Sequence, residues 1–170
     1  MGTKRIGWAR IRSLINENTN QIKIKKQEIV HVNNTATTLT AEQSGATVFW
    51  THGSTHNVTL PAAKVGMHFK IVLVVGSNHV QNIAAHSGDK FYGKVVVVRA
   101  AAAADDKNCC QTVAKASGQD NLKLRDRGAT LGGNTGDVIE LWCLDDGFWT
   151  VEARLSLTAG NPSGTTVIDD

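Results

Sequence analysis

No apolar run in this 170-residue chain approaches the roughly 20 residues needed to cross a bilayer as a helix. The basic start also lacks the uninterrupted apolar segment of a signal peptide, so the expectation is a protein made and kept inside a cell, or in a particle assembled there. Cysteine is scarce: Cys109 and Cys110 are adjacent and Cys143 is distant. That pattern is neither a disulfide framework nor the Cys-x-x-Cys spacing of a zinc site. It reads as reduced, mostly buried thiols, since a disulfide from Cys143 to one of the pair would leave an odd thiol. Aromatic residues make up only 5% of the chain, whereas glycine is plentiful and Val and Thr recur throughout, which favours short strands joined by tight turns. With 41% hydrophobic residues the chain can bury one good core and needs no second domain.

The clearest local pattern runs from Gly136 to Leu155. Two apolar, partly alternating runs flank Asp145-Asp146-Gly147, and an Asp-Gly pair in that setting predicts a hairpin. In the second run Trp149, Val151, Ala153 and Leu155 share one face, which must meet a core. In the first run both faces are largely apolar, with Ile139, Leu141 and Cys143 on one and Val138, Glu140, Trp142 and Leu144 on the other. Such a strand is expected to be covered on both sides, by a second sheet or by another subunit.

Charge is concentrated at the start. Residues 1–30 hold Lys4, Arg5, Arg10, Arg12, Lys23, Lys25 and Lys26 against Glu17 and Glu28, a balance of +5 that leaves −2 for the rest of a +3 chain. Such an arm suits nucleic acid, an acidic membrane or an acidic protein surface. Nucleic acid fits least, because no basic and aromatic interleaving continues into the body; the expected partner is protein, with neither nucleic acid nor membrane. Residues 4–21 have a helical rhythm, with Trp8, Ile11 and Ile15 on one stripe and Leu14 beside it. The helix either folds back on its own domain or docks on a neighbour. Residues 23–32 read as an extended linker or a charge-guarded edge strand.

From Thr35 the texture becomes short strands and turns. Strands are expected on either side of Ser44-Gly45, at 57–60 before Pro61, at 67–76 as a central buried strand, at 80–85, and at 94–99 after a turn at 88–93. Residues 100–104 read as a loop or one helical turn, 110–116 and 121–127 as strands, and 128–136 as a Gly-rich connection. The segment 156–170 has no core pattern and reads as a flexible or partner-dependent tail. The organisation is thus a basic arm at 1–34, a β-domain at 35–155 and the tail.

Catalytic and metal chemistry find little support. His52 and His56 have a spacing that aligns two ligands on a helix, but Gly53 and Ser54 place them in a loop, and surface histidines or a polar cluster at a symmetry axis are the simpler reading. Asp145 and Asp146 point to opposite faces of a strand, and Asp before Gly is what the turn requires. Ser44-Gly45 and Ser87-Gly88 lack the context of a nucleophile elbow. The stretch 132–136 lacks the Lys and following helix of a phosphate loop. The expectation is a non-enzyme without cofactor or metal.

Several segments together carry a resemblance. Thr38-Leu39-Thr40-Ala41-Glu42-Gln43-Ser44-Gly45, Asn57-Val58-Thr59-Leu60-Pro61-Ala62-Ala63-Lys64-Val65-Gly66, Gly88-Asp89-Lys90-Phe91-Tyr92-Gly93, and Gly136 to Leu141 through Asp146-Gly147-Phe148-Trp149 follow one another as in short virion proteins of tailed phages. The opening Lys4-Arg5-Ile6-Gly7-Trp8-Ala9-Arg10 resembles the start of small structural proteins of aquatic phages. The resemblance implies a mainly β fold, an antiparallel β-sandwich or barrel-like (jelly-roll-like) domain with a short helical or extended arm, commonly trimeric. Its motifs are turn and strand punctuation, which specify architecture better than function.

Two functions follow as expectations. The first is a capsid decoration or cement protein on the outer capsid surface of the virion. There a homotrimeric β-domain would be anchored on the major capsid protein by Lys4, Arg5, Trp8, Arg10, Ile11, Arg12, Leu14, Ile15, Lys23, Lys25 and Lys26. The second is a head or tail fibre domain that binds host glycans through exposed Trp50 or Trp142; core packing is the competing reading for these tryptophans, and it is favoured for both Trp149 and Trp142. A non-viral lectin-like or assembly module is a third class with fold-level analogy alone. No shaft repeat is visible and an anchoring extension is present, so decoration is favoured over fibre.

Overall fold

The computed structural model of the chain describes residues 7, 10–13, 28–33, 36–51, 56–74, 80–99, 109–125, 133–157 and 168–169. Its strands are short, as the scatter of Gly and turn residues predicts: β1 (Ile29–Val32), β2 (Ala36–Thr38), β3 (Thr47–Trp50), β4 (His56–Thr59), β5 (His68–Leu73) and β6 (Val80–Ala84). They are followed by β7 (Lys90–Arg99), β8 (Cys109–Val113), β9 (Asn121–Arg125), β10 (Val138–Asp145), β11 (Phe148–Leu157) and β12 (Ile168–Asp169). These form two mixed sheets, ordered β1-β3-β5-β10-β11-β7-β8 and β12-β9-β6-β4-β2.

The first six strands alternate between the sheets. Neighbours within a sheet are therefore two strands apart in the chain and run parallel: β1 with β3, β3 with β5, β2 with β4, and β4 with β6. Parallel neighbours need a long crossover, and here the crossover is a strand of the opposite sheet. Val30, Val48 and Ile71 stand side by side in one sheet, and Thr37, Val58 and Ile83 in the other. The ladders continue past the strand ends, where Thr51 N–H donates to Val32 O (3.1 Å), Val74 N–H to Trp50 O (2.9 Å) and Leu60 N–H to Ala84 O (2.9 Å).

The second half closes these rungs. In the larger sheet β10 lies antiparallel to β5, and β11 antiparallel to β10. Then β7 joins β11 in parallel and β8 closes the edge antiparallel to β7. In the smaller sheet β9 is antiparallel to β6, and β12 to β9. The mainly β expectation is met, but the sheets are mixed rather than antiparallel, because the first-half strands pair across rungs and not as hairpins.

Period-two alternation brings both sheets to one core. Trp50, Phe69, Ile71, Leu141 and Trp149 from the larger sheet and Val58, Ile83, Leu122 and Leu124 from the smaller belong to one buried cluster. Each such side chain contributes about 1.5–3 kcal/mol of burial. The hairpin predicted around Asp145-Asp146-Gly147 is present, with Gly147 at φ 79° and a register shift between Trp142 and Asp145. The turn tip is held by the loop after β4, where Val65 N–H donates to Asp146 Oδ1 (2.9 Å) and Gly147 N–H to Ala63 O (3.2 Å); the same loop is tied to the start of β7 by Ala63 N–H donating to Asp89 Oδ2 (2.7 Å).

Several expectations change. Of the stretch 23–32, read as an extended linker or an edge strand, residues 29–32 are the edge strand β1, with Val32 in the core. The segment 156–170, read as a flexible or partner-dependent tail, starts with the end of β11 and later pairs as β12 with β9. The turn read at 88–93 is confined to its start, and Gly93 lies within β7 at φ 131°. A Cβ there would sit 2.3 Å from Val151 O, so this glycine allows two backbones to approach closely. The strand read at 67–76 is central but buried on one face alone, with Lys70 exposed. Residues 100–108 and 126–132 lie outside the described residues.

Candidate functional site

The outward face of the larger sheet carries the least expected arrangement. Its strands bury Phe69, Ile71, Ile139, Leu141, Trp149 and Val151, and alternation turns the intervening residues outward. Register then sorts them into lateral rows across β5, β10, β11 and β7. One row is His68, Trp142, Thr150 and Tyr92; the next is Lys70, Glu140, Glu152 and Lys94; the third is Val72, Val138, Arg154 and Val96.

The first row is aromatic and half open. His68 is exposed, and Trp142 and Tyr92 are half-buried. The Tyr92 ring meets Phe148 edge-on at 6.2 Å between centroids, and Lys115 Nζ stands 4.5 Å over the Phe148 ring. Lys115 also pairs with Asp145, and this hydrogen bond and charge hold the Asp145 carboxyl below its ordinary value. Between Trp142, His68, Lys70 and Glu140 lies a depression of about 150 Å³, floored in part by Gly45 and Phe69. The Thr150 hydroxyl is enclosed between Trp142 and Tyr92 with no hydrogen-bond partner.

The second row is charged and internally balanced. Lys70 Nζ is 3.7 Å from Glu140, and Arg154 is 3.6 Å from Glu152. These pairs are substantially exposed and contribute little to stability. A second depression, of about 390 Å³, runs over Lys70, Val138, Glu140, Glu152 and Arg154. The far end of the face is apolar, with Val74 at 40% and Val98 at 43% exposure and Phe49 stacked on His31 at 5.9 Å.

Of the expected capsid-binding residues, Arg10, Ile11 and Arg12 are described. They lie on one helical turn at 10–13, with both arginines exposed and Ile11 half-buried. Lys4, Arg5, Trp8, Leu14, Ile15, Lys23, Lys25 and Lys26 lie outside the described residues, as does His52. Of the two tryptophans expected to meet sugars, Trp50 is fully buried, because β3 turns it inward beside Val48 and Leu73. Trp142 is turned outward, so core packing does not describe it. His56 is not a surface histidine: it is buried on β4, edge-on to Trp50 at 5.4 Å, with Nε2 at 3.4 Å from Thr37 Oγ1. Cys143 is buried, which pushes its thiol up, whereas Cys110 is exposed.

The Gly-rich connection has a structural use. Asp137 Oδ2 accepts from the N–H groups of Gly133 (3.1 Å), Asn134 (2.9 Å) and Ser156 (2.8 Å), and Oδ1 accepts from the Ser156 hydroxyl (2.7 Å). These amides form a small anion nest, filled by the chain's own buried carboxylate. Sequence reasoning missed His68, Tyr92 and Phe148 as companions of Trp142. Their alternation was readable, but the register that aligns them was not. No family model, curated protein or solved structure matches the chain.

Proposed function

We propose that this chain is a virion structural protein, a capsid decoration or cement protein. In this reading the basic arm docks on the major capsid protein, and the two-sheet, sandwich-like body forms a homotrimer on the outer capsid surface. The observation that carries the reading is the distribution of charge: the +5 surplus lies before β1, whereas the rest of the chain carries −2. An arm outside the core can bind a neighbour without unfolding the body. Three arms on one trimer add binding free energy across capsid joints, so each shell subunit breaks extra contacts to leave. The apolar end of the larger sheet, with Phe49, Val72, Val74 and Val98, supplies a surface for the trimer contact.

The test is co-sedimentation of the full chain with shells lacking it, at low and high salt, alongside its mass in solution. A trimer that saturates shells and weakens with salt supports the reading. A monomer that leaves shells bare overturns it. A second reading, a head or tail fibre domain that binds host glycans, is favoured by the outward position of Trp142.

A further inference from the structure

We propose that the row His68–Trp142–Thr150–Tyr92 is a binding track for a neutral or zwitterionic oligosaccharide. The proposal concerns the outer sheet face and holds with or without capsid attachment by the arm. It rests on the register of four strands, which sets two half-open aromatic rings on one line with a threonine between them.

Three features specify the ligand. First, neighbouring strands are roughly 4.8 Å apart, close to the length that one pyranose adds to a chain. Rings seated on Trp142 and Tyr92, two strands apart, would be alternate sugars of a trisaccharide, and the middle sugar would lie over Thr150. The apolar C–H face of a pyranose suits a half-open aromatic ring. Second, the track is flanked along its length by Lys70, Glu140, Glu152 and Lys94. Carboxylates accept from vicinal hydroxyls and ammonium groups donate to them. The Lys70–Glu140 contact of 3.7 Å is too long for a good hydrogen bond, which leaves capacity for a ligand. Third, the flanking row holds two positive and two negative side chains. This balance disfavours a polyanion such as nucleic acid or a sulfated glycan.

The depression of about 150 Å³ between Trp142, His68, Lys70 and Glu140 gives the track one deeper end. Gly45 lines it at a φ of 95°, which favours glycine. The hairpin tip next to Trp142 is held by Asp146 and the loop after β4, so the site is preorganised and loses little freedom on binding.

The experiment uses the full chain. Maltotriose, cellotriose, chitotriose and an immobilised set of neutral and zwitterionic bacterial surface oligosaccharides are tested as probes, with the Trp142 indole signal as the solution readout. At least one probe is expected to shift that signal. W142A should then weaken binding by about tenfold or more, Y92A and E140Q should weaken it less, and all three should keep the unfolding midpoint and mass of the parent. The proposal is overturned if no probe moves the indole signal at millimolar concentration or is retained on the array, or if binding survives W142A. It is also overturned if W142A lowers the oligomeric mass while no sugar binds, which would make this end of the sheet a subunit contact. Failure to bind shells leaves these outcomes unaffected, so the two proposals fail separately.

Discussion

Asp137 shows how one side chain organises a junction that strands alone would leave loose. It answers three backbone donors and one hydroxyl at the point where the Gly-rich connection enters β10 and β11 ends. Replacing it with Ala leaves those donors facing a buried gap, and the expected cost is about 3 kcal/mol in urea unfolding, with Asp137→Asn roughly half as costly. Asp145 is the opposite case, an exposed carboxylate with one partner. Its pKa is lowered in the fold, first by the Lys115 hydrogen bond and then by the Lys115 charge. The contribution is therefore present above the ordinary carboxylate range and is lost as pH falls through the folded-state value. Lys115→Ala should move the Asp145 titration upward in carbon-detected NMR, with little change in unfolding at neutral pH. Both aspartates were visible as residues in the sequence. The Asp145-Asp146-Gly147 turn was legible because Gly147 supplies the positive φ that the hairpin needs. The Asp137 partners were not, because Ser156 is far away in sequence.

At the scale of elements, the second half of the chain was far more legible than the first. The β10–β11 hairpin announces itself by alternation and by its turn, and the inward set Trp149, Val151, Ala153 and Leu155 is buried as expected. Strands β1 to β6 also alternate, but alternation does not say which strand is the neighbour. Each is short, and consecutive ones lie in different sheets. The unequal spacing of Val30, Val48 and Ile71 conceals the repeat that a regular solenoid would display. Gly93 was misread for a related reason, since glycine marks turns more often than close strand approach. Gly93→Ala tests the β7–β11 contact. With a Cβ at 2.3 Å from Val151 O and a φ of 131°, it should destabilise by about 3 kcal/mol in denaturant unfolding. A near-neutral result would mean that β7 and β11 are not packed as described.

At the scale of the whole molecule, the described strands form one body, and the proposed arm is the basic segment that precedes it. The body is two mixed sheets around one core, with an outer face that is aromatic at one end, charge-balanced in the middle and apolar at the other. That grading was hidden in the sequence, where Tyr92, Trp142 and His68 belong to separate segments. The basic segment is legible from charge alone, and β1 belongs to the body, so a chain that starts at Glu28 lacks the basic segment and keeps every described strand. The most direct measurement is co-sedimentation with decoration-free shells of the full chain against a chain starting at Glu28. Both are expected to be folded trimers, with the full chain alone saturating the shells. A shortened chain that binds shells as well as the full one would contradict the cement reading.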